Sequence, residues 1–160
     1  MAVCKLSLNE FDAIDYNLIA IHTSLENYRL AYYLNQKLPI LLSKSREFIE
    51  FKTAHGTAFF SKFSYILETT HEEWTLIENK DELLDLKNKT SADLFSQEKE
   101  KITSNVYFLP EMKNVSYFLK VEHPFLSIAE IVSNINTIKQ ISTAYVVAVE
   151  KIKSKNNLIF

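Results

Sequence analysis

One glycine, Gly56, serves a chain of 160 residues, where average usage of about 7% would supply roughly eleven. Loops that cradle phosphates need glycines, because backbone amides must approach the ligand and φ must turn positive. Neither G-x-G-x-x-G nor G-x-x-x-x-G-K-[ST] can be written here, which argues against a dinucleotide or P-loop enzyme. Nucleotide binding by another route stays open. Cysteine is equally scarce. Cys4 stands alone, so one chain can form neither an internal disulfide nor a thiolate metal cluster. Positive charge is not in surplus either: 18 Lys and Arg face 20 Asp and Glu, for a net charge of −2. No overall field then draws the protein to nucleic acid or anionic lipid. The N-terminal residues lack a basic segment followed by an apolar one, so no secretion signal is expected. No apolar run approaches the ~20 residues of a membrane span. The expectation is a cytoplasmic protein with no cofactor and no membrane partner, and with nucleic acid disfavoured.

Apolar material is ample. Hydrophobic residues make up 47% of the chain and aromatic residues 12%, enough for one sizeable core, so residues 1–160 are read as a single domain. Val3 to Leu8 reads as a short edge strand and Asn9 to Asp15 as a turn. Tyr16 to His22 is β-branched and apolar on both faces, hence a central strand. Thr23 with Glu26 predicts a capping box opening a helix to about Leu38, ended by Pro39. Leu30, Ala31, Leu34 and Leu38 form one stripe of that helix, while Leu25, Tyr28 and Tyr32 form a second beside it. The combined face is wider than packing on one sheet requires.

From Leu41 to Lys80 the pattern is β-like, with strands predicted at Phe48 to Phe51, Ala58 to Leu67 and Trp74 to Ile77 as a consecutive antiparallel meander. In the second of these, Phe59, Phe63, Tyr65 and Leu67 are expected on the face opposite Phe60, Lys62, Ser64 and Ile66. Residues 81–104 read as a short helix and a mobile loop with Leu94 and Phe95 as an anchor. Val106 to Leu109 and Val115 to Val121 read as strands. Ser127 and Glu130 predict a second capping box, with Leu126 and Ile131 as a hydrophobic staple. Ile128, Ile131, Val132, Ile135 and Ile138 make the apolar stripe of that second helix. Thr143 to Val149 reads as a buried closing strand and residues 151–160 as a polar tail. The fold class is therefore α+β: an antiparallel-rich sheet of about six to eight strands with two main helices on one face. Two strand-then-helix units, Tyr16–Leu38 and Val115–Ile138, suggest a pseudo-repeat, although any α+β domain contains such units.

Between two strands stands Leu109-Pro110-Glu111-Met112-Lys113-Asn114-Val115-Ser116-Tyr117. Pro110, Glu111, Val115 and Tyr117 match the signature of the IPExxxVDY family, which this chain resembles. Leu109 takes the place of the signature isoleucine and Ser116 that of its aspartate. Looser likeness extends to Asp15–Leu34, Trp74–Lys80 and Phe118-Leu119-Lys120. The family comprises small bacterial proteins without an assigned activity, so the resemblance implies no substrate, cofactor or mechanism.

Candidate sites must come from the residues. Pro110 stops a strand, Glu111 can accept backbone N–H groups in the following turn, and Asn114 tolerates a left-handed conformation. A tight connection thus competes with a ligand-contact role for Glu111. Serine neither ionises near neutral pH nor binds hard cations as aspartate does. Ser116 therefore favours a structural reading of its position, as a short hydrogen-bonding residue at a strand start. His22 and His123 each follow a strand and precede a helix. Were the two units pseudo-symmetric, both could meet with Glu122 in a ligand site, the alternative being two ordinary strand-end histidines. No catalytic residue and no metal ligand set is predicted. Phe59, Phe60, Phe63 and Tyr65 interleaved with Lys62 superficially suit single-stranded nucleic acid but equally an ordinary β core. The leading expectation is a non-catalytic protein-interaction domain acting as a homodimer, with Leu25, Tyr28 and Tyr32 at the interface and another protein partner as an option. A small-molecule-binding regulatory module of ACT-like or ferredoxin-like type, with His22, Glu111, Glu122 and His123 as ligand residues, is the alternative. An enzyme with an unrecognised site is the third.

Overall fold

The computed structural model describes residues 14–84 and 103–160. Val3 to Leu8, Cys4 and the Leu94–Phe95 anchor lie outside these. The described residues form strands β1 (Tyr16–Thr23), β2 (Ser43–Lys44), β3 (Ile49–Thr53), β4 (Gly56–Phe60), β5 (Lys62–Leu67), β6 (Glu72–Glu78), β7 (Lys80–Leu84), β8 (Thr103–Tyr107), β9 (Tyr117–Glu122) and β10 (Ile141–Val147), with helices α1 (Asn27–Lys37) and α2 (Ile128–Asn136). Six strands make one antiparallel sheet in the order β10-β1-β9-β6-β5-β2, and the pairs β3-β4 and β7-β8 stand apart as two-stranded ribbons. The α+β class holds.

Both helices pack on one face of the main sheet. Leu30, Ala31 and Leu34 of α1 and Ile131 and Ile135 of α2 meet Ile19, Ile21, Trp74, Leu76, Leu119 and Val121. The opposite face carries a second core, where Leu18, Ala20, Ile77 and Phe118 meet the β3-β4 ribbon, residues 108–115 and the C-terminal residues. Period-2 alternation sends neighbours on each central strand to opposite cores, and strands buried on both faces favour apolar runs, unbroken at 18–21 and interrupted by Thr75 in 74–77 and by Lys120 in 117–121. Trp74 is fully buried, with its indole N–H donated to the Glu72 carboxylate at 2.8 Å, which gives the ring's polar edge a partner inside. Phe51, Phe60 and Phe108 meet edge to face at 5.5 Å in the second core.

Several local expectations change. The α1 N-cap is Glu26, without a side-chain cap bond. Thr23 serves instead as a turn residue, its Oγ1 accepting from Leu25 N and donating to the Gln140 carbonyl. At the other end Leu38 is extended (φ −123°, ψ 151°), as the residue before Pro39 must be. The second helix has the expected N-cap bond, with Ser127 Oγ accepting from Glu130 N, but not the return bond from Ser127 N to the Glu130 carboxylate that would complete a capping box.

The meander is broken at Ser61, where β4 and β5 part into different sheets. The alternation therefore does not run through: Phe60 and Phe63 are both buried while Phe59 is half-exposed. The helix start at Asp81 is a strand, because β8 offers a ladder, Leu83 enters the second core and Asp81 accepts the Phe59 N–H at 2.9 Å. Tertiary pairing here overrides local propensity. β10 is an edge strand with Tyr145 and Val146 half-exposed, not a buried one. The C-terminal residues are no loose polar tail, since Ile152 and Leu158 are buried.

The lone glycine sits at the β3-β4 turn with φ 149°, a conformation L side chains rarely adopt. Two further positive-φ positions among the described residues fall to His71 and His123. Asn114 is not one of them.

Candidate functional site

Asn79 separates two ladders. Glu78 ends β6 opposite Tyr117 of β9, and Lys80 begins β7 opposite Tyr107 of β8. At this residue the main sheet and the β7-β8 ribbon fork, and residues 108–116 fill the gap. Asn79 itself has no exposed surface. Its Oδ1 accepts from Leu109 N at 2.9 Å, and its Nδ2 donates to the Met112 and Val115 carbonyls, each at 2.9 Å. Its backbone N–H donates to the Ser116 carbonyl and its carbonyl accepts from Phe108 N. Residues 110–112 form one turn of 3-10 helix, started by Pro110, whose missing N–H is no loss at that position.

The signature residues are thereby assigned physical tasks. Ser116 Oγ accepts from Thr23 N at 3.1 Å, tying the loop to the end of β1. The Tyr117 hydroxyl donates to the Leu25 carbonyl at 2.7 Å, fixing the approach to α1. Its phenol is raised well above its usual range, by desolvation first and then by the charges of Glu78 and Glu26. Glu111 does accept backbone N–H groups, and its main partner is in the C-terminal segment: Ser154 donates through N at 2.6 Å and through Oγ. Desolvation opposes ionisation of Glu111, yet the Ser154 hydroxyl and the N–H groups of Glu111, Ser154 and Lys153 together hold its carboxyl below the usual range.

Around the fork lies a cleft of about 280 Å³ with Glu78, Lys80, Tyr107, Lys113, Ser116 and Tyr117 in its walls. Glu78 Oε2 accepts from Asn27 Nδ2 at 3.3 Å. Desolvation raises the Glu78 carboxyl, partly opposed by the Asn27 hydrogen bond and the charge of Lys44 and reinforced by Asp81. Lys80 makes a surface pair with Glu82 at 3.6 Å, and Lys113 lies over the Tyr107 ring at 5.8 Å. The sequence reading missed both Glu78 and Asn79. No local pattern marks them, because the strand that follows Asn79 reads as a helix start until its ladder with β8 is formed.

His22 and His123 do not converge. β1 and β9 are antiparallel neighbours, with Tyr16 opposite Glu122 and Ile21 opposite Tyr117. Strands so paired end at opposite margins of the sheet, about 20 Å apart over six residues. His22 instead stacks on Tyr145 at 5.6 Å and shares a 3.2 Å hydrogen bond with its hydroxyl. His123 and Glu122 border a wide, open hollow with Ile66, Glu68, His71 and Glu73. Glu122 is already paired with Lys120 at 2.6 Å. Among the described residues no three His, Cys, Asp or Glu side chains are placed to hold a metal ion. Glu111 is bonded to Ser154 and shares no hydrogen bond with either histidine. The four sequence-derived ligand residues thus fall into three places, and only Glu122 and His123 share one.

The aromatic run of β4 and β5 is no stacking platform, because Phe60 and Phe63 belong to opposite cores and Lys62 is paired with Glu47. On α1, Tyr28 and Tyr32 are 57% and 59% exposed. With Leu25, Arg29, Tyr33 and Gln140 they border a shallow groove of about 560 Å³. No described helix is long and apolar enough to cross a membrane. Compared with known proteins, the chain matches no family model, no curated protein and no solved structure.

Proposed function

We propose that this protein is a non-catalytic, cytoplasmic binding domain that associates with a second copy of itself through the outer face of α1. The observation that carries the reading is the exposure of Tyr28 and Tyr32 one helical turn apart, outside the face that the core needs. Large aromatic side chains left in water on a rigid helix are what interfaces use as anchors. Charge favours a second copy as occupant. Exposed Glu26 and Arg29 both lie beside Tyr28, so the patch carries both signs of charge and a two-fold pairing can set each against its opposite.

The β10 edge of the sheet, unpaired among the described residues, is a poorer candidate, because Asn136 occupies both backbone groups of Ala144 in mid-strand. The same proposal takes the chain as a bacterial relative of the IPExxxVDY family, supported by Pro110, Glu111, Val115 and Tyr117. A dilution series in sedimentation velocity tests the interface: Tyr28→Ser with Tyr32→Ser is expected to weaken self-association at least about tenfold, as loss of two anchors would. An unchanged dissociation constant removes α1 as the interface. A second reading, a small-molecule-binding module, is favoured by the charged cleft at the Asn79 fork.

A further inference from the structure

We infer that the cleft at the Asn79 fork binds a small zwitterion of the free α-amino acid class, with Glu78 receiving its ammonium and Lys80 and Lys113 its carboxylate. This inference rests on the second reading above and gives it a ligand chemistry.

The two walls differ in charge because they come from different ladders. The main-sheet wall brings Glu78 beside Tyr117, with Ser24 and Leu25 of the β1-α1 connection. Glu78 is half-buried, holds a hydrogen bond from neutral Asn27, and has no cation within 4.0 Å among the described residues. A carboxylate drawn partly out of water with only the more distant charge of Lys44 to offset it is costly, and a bound ammonium supplies a cation in direct contact and further donors. The ribbon wall brings Lys80, and residues 108–116 bring Lys113. The Lys80–Glu82 contact is an exposed pair of little strength, and Lys113 touches only a ring face, so both ammonium groups can turn to an incoming carboxylate. Asn79 fixes the spacing of the walls, since its side chain binds the loop that carries Lys113 while its two neighbours in sequence supply Glu78 and Lys80.

Size limits the ligand. At about 280 Å³ the cleft lies at the small end of ligand sites, which run from about 300 to 1,000 Å³. A molecule with both charges on one short frame matches that volume. The phenols of Tyr107 and Tyr117 border the same space. The Tyr117 hydroxyl is engaged with the Leu25 carbonyl, which leaves its ring as an apolar wall.

The test is calorimetric titration of the full chain with the common free L-amino acids, their N-acetyl forms and their amides. Probes are offered at about 10 mM, since weak sites bind with millimolar constants. At least one free amino acid is expected to bind, and both blocked forms to bind at least about tenfold more weakly, each having lost a charge-assisted contact. Glu78→Gln is expected to abolish the penalty for N-acetylation, and Lys80→Met with Lys113→Met the penalty for amidation. Circular dichroism of each variant separates lost binding from lost fold, and Glu82→Gln serves as a charge control that should bind normally. Equal binding of free and blocked forms, reversed by the Glu78 variant, overturns the zwitterion while keeping a small-molecule site. No heat from any probe, together with no movement of the Glu78, Lys80, Tyr107 and Lys113 amide resonances with a fragment library, overturns both.

Discussion

The side chain of Asn79, fully buried, accepts the backbone N–H of Leu109 at 2.9 Å and donates to two carbonyls further along the same loop. Residues 109–116 are in this sense wound around one asparagine of the neighbouring strand. Asn79→Ala leaves the Leu109 N–H and the Val115 carbonyl without partners, while the Met112 carbonyl keeps the Val115 N–H. At about 1–3 kcal/mol for each orphaned group, the loss is expected to reach at least ~2 kcal/mol, lowering Tm by roughly 4–8 °C for a chain of this length. Asn79→Asp keeps the acceptor for Leu109 but sets a carboxylate against two carbonyls, so it is expected to cost as much or more. Thermal unfolding followed by circular dichroism reads both variants, and amide exchange at Leu109 should quicken first.

Ser116 offers a sharper comparison. Its hydroxyl accepts from Thr23 N, a task a carboxylate can also perform and a methyl group cannot. Ser116→Ala is expected to cost about 1 kcal/mol, the usual worth of one such bond. Ser116→Asp should lose less than that. Chemical denaturation midpoints decide it, and an aspartate variant clearly weaker than the alanine variant would refute the assignment.

Glu111 predicts a pH effect with a definite sign. Hydrogen bonds from Ser154 and nearby N–H groups hold its carboxyl below the ordinary 4.5. The ionised form is therefore favoured by folding. Its contribution is complete above about pH 4.5 and is lost as pH falls through the lower folded value. The Ser154 amide resonance should follow that titration, while Ile152 and Leu158 keep the C-terminal segment on the second core. Glu111→Gln should remove the pH dependence at Ser154 while leaving the main sheet intact.

Asn136 stands at the β10 edge of the sheet, unpaired with another strand among the described residues, and is bonded through its amide to both the N–H and the carbonyl of Ala144. Unpaired strand edges invite pairing with other chains. Asn136→Ala is expected to cost about 1–2 kcal/mol through the two lost bonds. It should also raise aggregation on heating, measured by static light scattering. A variant that is destabilised but no more prone to aggregate would show that the amide serves folding alone.

How much of this could be read from residues differs by element. The central strands were legible because burial on both faces demands apolar runs such as Leu18 to Ile21. α2 was legible because Ser127 caps Glu130 and the apolar stripe has one period. The start of α1 was misread because Thr23 is as good a turn residue as a cap, and only its bond to the Gln140 carbonyl, 117 residues away, separates the two. β7 was misread for a similar reason: its ladder partner, Thr103 to Tyr107, is remote in sequence. The histidine pair failed on geometry, since the antiparallel register of β1 and β9 sends His22 and His123 to opposite margins. Exposure of Tyr28 and Tyr32 followed from a helix face too wide for its sheet, whereas the fork at Asn79 depends on two ladders that no local pattern announces.

The central claim is self-association through α1, and the mass of the untouched protein tests it most directly. Light scattering on a sizing column at tens of micromolar is expected to give twice the 18.6 kDa chain, falling to that of one chain when Tyr28 and Tyr32 are both replaced by serine. A mass of one chain for the unmodified protein at that concentration would contradict the account.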